Sequence, residues 1–357
     1  MPTTMLGTFA VRYQVLLERL KVGELKANSR VLNQLYSATA DIVHKLGVEK
    51  MSQLTRKQLL ELLGQIKAAT ENITADAARV MSNRLNDVAW YSAEFEQKAL
   101  QKATKAGAPD IVLPSQRRIV NYVMGNPMTG SGKTVSSFFN EWSTRQVSTL
   151  MDAARKGYAN GWTTGELLQQ LAGTKKVNYQ DGLIGGKARR ELEAAIRTSV
   201  QHVSSQARMA VWEDNADMMD GYRWVSTLDG HTTSECRALD GQVFPIDGDG
   251  PVPPIHINCR STTVAELGDE FAYLNKGATR SSANGYVDAD MTYYEWLGQQ
   301  PASFQDEAIG PVRGQLFRDG GLSAEDFAKM SLNKNFEPLT LDEMRAKEPV
   351  AFERAGL

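Results

Sequence analysis

The sequence has almost no cysteine: two thiols, Cys236 and Cys259, among 357 residues. That excludes a disulfide-stapled scaffold and suits a reducing compartment such as a cytoplasm. No run approaches the roughly 18 consecutive apolar residues of a membrane helix. The N-terminus shows no basic stretch leading into an apolar one, so no secretory signal is expected. An excess of one charge is missing too. Forty Lys and Arg against 42 Asp and Glu leave a formal net charge of −2. A surface devoted throughout to nucleic acid is thereby excluded, and any DNA contact must be local. There is no internal repeat and no low-complexity tract.

What is present is mostly helical patterning. Val11, Val15, Leu16 and Leu20 recur at helix spacing, as do Leu32, Leu35, Ile42 and Val43. Thr55 with Gln58 forms a capping-box start, and residues 74–105 contain neither proline nor glycine. These long helices suit either an ordinary bundle or an arm that completes its core on a partner. After breaks at Ala106–Pro109 and Gly125–Gly132, Phe138, Phe139 and Trp142 mark an amphipathic helix. Thr163 with Glu166 caps a short helix. Gly182, Gly185 and Gly186 read as a flexible loop before a helix over about 187–213. At Tyr222 the texture changes to short β-prone pieces, 222–225 and 242–244, within a stretch rich in Gly, Pro, Asp and Thr that runs to Val264. Residues 275–291 read as a linker, and the remainder as short capped helices. The expected fold class is mainly α, with a small loop-rich α+β module and a helical C-terminal tail. Three regions are expected: 1–115, 116–268 and 269–357.

Residues 127–134, PMTGSGKT, imitate a phosphate-binding loop. The first glycine of that motif would fall at 127, where Pro127 offers no N–H, and no later strand supplies the acidic magnesium ligand. The segment is expected to be a turn into the Trp142 helix, with Ser131 or Thr134 as its cap and Lys133 solvated.

Both cysteines lie in the loop-rich module together with His231 and His256. Cys236, His256 and Cys259 are candidate soft metal ligands, and the His256-x-x-Cys259 spacing lets two side chains meet one ion. His231, Asp229 or Asp247 could supply a fourth ligand, and zinc would stabilise a module with little core. Other readings stand beside it: buried free thiols, a disulfide, a histidine satisfied by a carbonyl, or a Cys236 nucleophile with His256 as base. For the last, no strained elbow and no oxyanion loop is visible. A basic cluster, Lys175, Lys176, Lys187, Arg189, Arg190, Arg197 and Arg208, is either a DNA-phosphate contact or a solvated helix face. A second, weaker one (Lys98, Lys102, Lys105, Arg117, Arg118) reads the same way. Tyr293, Tyr294 and Trp296 either anchor the tail on another subunit or pack within the chain.

The run Trp224-Val-Ser-Thr-Leu-Asp229, Thr232-Thr233, Cys236-Arg-Ala-Leu-Asp240-Gly241, Phe244-Pro245, Pro253-Pro254, His256 and Asn258-Cys259-Arg260-Ser261 resembles the signature of the phage Mu protein F-like minor head proteins, the head morphogenesis family. Arg197-Thr198, Ser204–Arg208 and the pieces from Tyr294 to Leu322 resemble its flanks. The resemblance covers about 120–357 and is most specific over 223–264. It implies a non-enzymatic minor head component of a tailed phage, in the virion near the portal and in the host cytoplasm during assembly. Implied partners are the portal protein, the major capsid or scaffolding protein, and packaged double-stranded DNA, with roles in packaging or ejection. His231 stands where the family more often has arginine, and Ser261 where many relatives have another cysteine, so the resemblance does not complete a zinc ligand set. It implies structural roles for Trp224, Asp229, Arg237, Asp240, Gly241, Pro254 and Arg260, with the four charged ones as buried charge pairs and loop hydrogen bonds.

Overall fold

A computed structural model of the chain describes residues 5–104, 110–268 and 278–357, with side chains from residue 11 onward. The expected break at Ala106–Pro109, Lys105 of the weaker basic cluster, and residues 275–277 of the expected linker lie outside the described residues. The fold is mainly α with a small antiparallel β component, in agreement with the sequence pattern.

Three long helices begin the chain: α1 (Met5–Asn28), α2 (Arg30–His44) and α3 (Arg56–Thr104). At 49 residues α3 spans about 74 Å. Thr55 and Gln58 exchange the expected capping bonds at its start. Next come α4 (Gln116–Gly125), α5 (Val135–Asn160), α6 (Thr164–Ala172) and α7 (Arg189–Glu213). The α5 cap is Thr134, which accepts from Ser137 N, and the α6 cap is the Thr163–Glu166 box. One buried apolar cluster runs from Tyr13 on α1 to Leu267 and includes Phe138, Phe139 and Trp142. The boundary expected at 115 is thus not a boundary of this core, because α3 packs along both α5 and α7.

Gly182, Gly185 and Gly186 do not form an open loop. They belong to a π-helical turn, Leu183–Ala188, and its lead-in. A Cβ at Gly182 would lie 2.3 Å from Ala172 carbonyl atoms, and one at Gly186 would lie 1.8 Å from Gln180 O. The glycines are needed for close approach of backbone to backbone, which sequence alone does not separate from flexibility.

Beyond α7 lies a three-stranded antiparallel sheet of order β2-β1-β3, made of β1 (Met219–Val225), β2 (Val243–Phe244) and β3 (Thr262–Leu267). Tyr222 pairs with Phe244 on one side and Ala265 on the other. Helix α8 (Ser234–Leu239) sits between β1 and β2. Within the expected linker the chain instead forms a hairpin, β4 (Thr279–Ser282) with β5 (Gly285–Asp288). Its strands are four residues long and mostly polar, so they lack the apolar alternation that marks a strand in sequence. Six short helices follow: α9 (Tyr293–Gly298), α10 (Ala302–Ile309), α11 (Pro311–Asp319), α12 (Ala324–Met330), α13 (Leu341–Lys347) and α14 (Pro349–Arg354). They share a second core with Trp224, Cys236 and Cys259. Tyr293, Tyr294 and Trp296 are buried in it, which makes them intramolecular packing residues rather than an exposed anchor.

Candidate functional site

The loop-rich module hangs on β1. Trp224, fully buried, donates from its indole to Ser226 Oγ at 2.9 Å. Ser226 Oγ in turn donates to the Cys236 carbonyl at 2.6 Å. Asp240 accepts from Ser226 N and takes both ends of the Arg280 guanidinium at 2.9 Å. Gly241 adopts φ +83° directly beneath Thr292, where a Cβ would come within 2.8 Å of that side chain. Pro254 lies in the loop that receives the 127–134 turn, and the Pro253–Pro254 peptide is cis. Asp229 holds Arg260 bidentately at 2.6 and 2.9 Å and accepts from His231 N.

Two of the four expected charge partners therefore meet, Asp229 and Arg260. Asp240 is instead neutralised by Arg280, from the hairpin. Arg237 forms no ion pair among the described residues, although it is only 9% exposed. Sequence reasoning missed Arg280, which lies 40 residues from Asp240 in a segment without strand patterning.

Cys236, His256 and Cys259 converge, with their ligand atoms all within 4.8 Å of one another. Cys236 Sγ is 3.8 Å from Cys259 Sγ and 3.2 Å from His256 Nε2. Cys236 is placed by the first turn of α8. Cys259 is placed by the turn in which its N–H donates to the His256 carbonyl at 3.2 Å and Asn258 N donates to Thr198 of α7. Two thiolates on one tetrahedral zinc, each at about 2.3 Å, stand about 3.8 Å apart, which matches the sulfur separation. His256 Nδ1 lies 3.0 Å from the Ile257 carbonyl. Donation there leaves the Nε2 lone pair facing the sulfurs, the tautomer a metal-bound histidine uses. The donor set fits zinc with three protein ligands and one open position. His231 and Asp247 are not part of the cluster, and Asp229 is committed to Arg260. The expected fourth ligand from these residues is not found.

Without an ion the same cluster is a coupled dithiol. The hydrogen bond from Cys236 holds the Cys259 thiol well below its usual range, and Cys236 is pushed well up by that bond and by burial. Burial works against a charged His256 ring, but the hydrogen bond and charge of Cys259 overcome it and raise its pKa. A nucleophilic reading of Cys236 is disfavoured physically, because a buried thiol with a raised pKa is a poor nucleophile. The sulfurs are not disulfide-bonded.

In the 127–134 turn, Ser131 and Gly132 N–H both donate to the Met128 carbonyl, so they are not free to cradle phosphate. Thr129 Oγ1 donates to Val252 O, and a Cβ at Gly130 would lie 1.8 Å from Ile255 O. The turn is a docking element seated on the 252–255 loop. Lys133 pairs with Glu141 at 2.8 Å rather than pointing freely into solvent.

Of the basic cluster, Lys175, Lys176, Lys187, Arg189 and Arg190 are exposed, and none forms an ion pair among the described residues. Arg197 pairs with Glu18, and Arg208 is not at the surface at all. Arg208 is 3% exposed and donates to Glu96 at 2.6 Å and to Thr263 O at 2.9 Å, with its guanidinium 3.9 Å over Tyr13. Glu96 also accepts from Trp212 Nε1 at 2.9 Å. This buried network ties α1, α3 and α7 to β3, and so fixes the sheet that carries the module.

A helical body carrying a small α+β module, braced by ion pairs and a Cys–His–Cys cluster, is the class of protein that fold and site define. Comparison with known families finds a similarity over part of the chain: residues 149–264 match the family model described as Phage Mu protein F like protein. The match spans the end of α5, α6, α7 and the module through the first half of β3, and bears out the resemblance carried by the 223–264 signature. No curated protein and no solved structure matches the chain.

Proposed function

We propose that this protein is a minor head component of a tailed bacteriophage that enters the head with the portal protein during assembly and acts structurally rather than as an enzyme. The observation that carries this reading is the family match over 149–264, a family of phage head morphogenesis. The geometry is consistent with it. The buried Arg208–Glu96 network braces the module against the helical body, and the phosphate-loop look-alike is occupied by its own backbone bonds. In this reading the chain resides in the virion near the portal and in the host cytoplasm beforehand, with major capsid or scaffolding protein as further neighbours. Zinc at Cys236, His256 and Cys259 would tie α8 to the 256–259 turn. Co-expression with the portal protein of the same phage tests the assignment. A stable complex with portal rings is expected, and a chain that never co-sediments with portal or heads would refute it.

The five exposed cations on residues 175–190 favour a second, compatible role in contacting packaged DNA through phosphates. Neutralising Lys175, Lys176, Arg189 and Arg190 together is then expected to flatten the salt dependence of duplex binding, by about one unit of log–log slope per cation removed. An unchanged slope would remove this role.

A further inference from the structure

Arg237 lines a cleft of about 460 Å³ between α8 and the C-terminal helices. Its side chain is more than nine-tenths buried, and among the described residues its Nε has no hydrogen-bond acceptor and no carboxylate pairs with it. A buried cation is costly unless something compensates it, and among the described residues the Tyr293 ring stands nearest, 5.4 Å from the guanidinium carbon. Asp240, three residues further along the chain, is fully used by Arg280. Arg313 lines the same cleft, donates to the Leu339 carbonyl, and likewise forms no ion pair among the described residues. Glu235 supplies the one carboxylate at the rim, and its nearest bond is from Ser234. Two guanidiniums and one carboxylate leave a single net positive charge. Ile309 and Leu339 give the cleft an apolar wall, and Ser331 adds a hydroxyl.

We propose that this cleft binds a carboxylate carried on an aliphatic stem, with Arg237 and Arg313 gripping the anion and Ile309 and Leu339 covering the stem. The net charge matches a monoanion better than a phosphate dianion, and the volume admits a side chain or chain terminus but not a duplex. This site is independent of the head-assembly reading. Two sources share the chemistry: a free short-chain acid, and the C-terminus of a polypeptide ending in an aliphatic residue.

The test uses the full-length protein titrated by calorimetry or ligand-observed NMR with isovalerate, its neutral isostere isovaleramide, inorganic phosphate, and a blocked peptide ending in a free leucine carboxylate. Saturable isovalerate binding is expected, weakened at least about tenfold by Arg237→Met and by Arg313→Gln. Isovaleramide should not bind, and phosphate should bind more weakly than isovalerate. A peptide much tighter than isovalerate assigns the polypeptide source, and equal affinities assign the free acid. Because Arg237 has no ion pair among the described residues and loses only its contact with the Tyr293 ring, Arg237→Met should melt close to the wild type. Should it fail to fold, Arg313→Gln, at a half-buried position, still decides the matter. The proposal is overturned by no saturation up to about 50 mM, far above the range of a single gripped charge. Equal binding of the amide, tighter binding of phosphate, or retained affinity in the folded variants would overturn it too.

Discussion

His202 offers a sharp physical test of how α7 is held. Its ring is 1% exposed, with Nε2 3.1 Å from the Asn126 carbonyl, and Nδ1 has no hydrogen-bond partner among the described residues. Burial pulls its pKa from the usual 6.5 down to about 4, against two backbone carbonyls that favour the charged form. Between those values the unfolded chain carries the proton and the native chain does not, so the unfolded state binds more protons and stability falls as pH falls. The contribution is fully present above pH 6.5, declines on the way down, and is exhausted below about 4. At 1.36 kcal/mol per pH unit, the interval corresponds to about 3 kcal/mol. Many carboxylates titrate in the same range, so the quantity to measure is a difference. Urea unfolding of wild type and His202→Gln should be compared from pH 7.5 to 4. Glutamine keeps an N–H donor for Asn126 and removes the titration. The variant is expected to gain about 3 kcal/mol relative to wild type across that range, whatever its stability at pH 7.5. A constant difference between the two curves would refute the reasoning and would mean that His202 is solvated or charged in the native state.

Three further outcomes are expected. Glu96→Gln leaves Arg208 buried without a counter-charge and should cost about 3–5 kcal/mol in denaturant unfolding, whereas an effect below 1 kcal/mol would mean that Arg208 reaches water. Gly130→Ala pushes a methyl into the Ile255 carbonyl and should cost about 1–3 kcal/mol, with loss of protease resistance in the 252–255 loop as a second readout. Metal analysis of protein purified without chelator is expected to find about one zinc per chain, abolished in Cys259→Ser, with chelation lowering the melting temperature. Zinc content near zero with an unaltered melting temperature would leave the coupled dithiol as the resting form.

Local signals were legible in the sequence. The Thr55 and Thr163 caps, Thr134 as one of two candidate caps, the Trp142 face and the 222–225 part of the first strand all follow from local pattern, because each depends on neighbours within a turn or two. The convergence of Cys236, His256 and Cys259 was legible from residue type and the tight His-x-x-Cys pair. Long-range choices were not. Arg208 reads as one more surface cation beside Arg189 and Arg190 until Glu96, 112 residues away, is seen beside it. Asp240 has Arg237 three residues before it and Arg260 further on, yet tertiary packing gives it Arg280. The glycines at 182–186 and at 130 look like flexibility, and only the opposing carbonyls reveal that they are there for lack of a side chain. The 279–288 hairpin carries no apolar alternation, and it is tied to the module by the Leu228–Ser282 bridge and by Arg280 donating to the Ser226 carbonyl.

The most direct test of the functional assignment is to count this chain in purified DNA-filled heads of the phage that encodes it, by quantitative mass spectrometry, with and without the portal protein. A few copies per head, lost when the portal is absent, are the expected result. Heads that package DNA with no trace of the chain, or chain content that does not depend on the portal, would contradict the account.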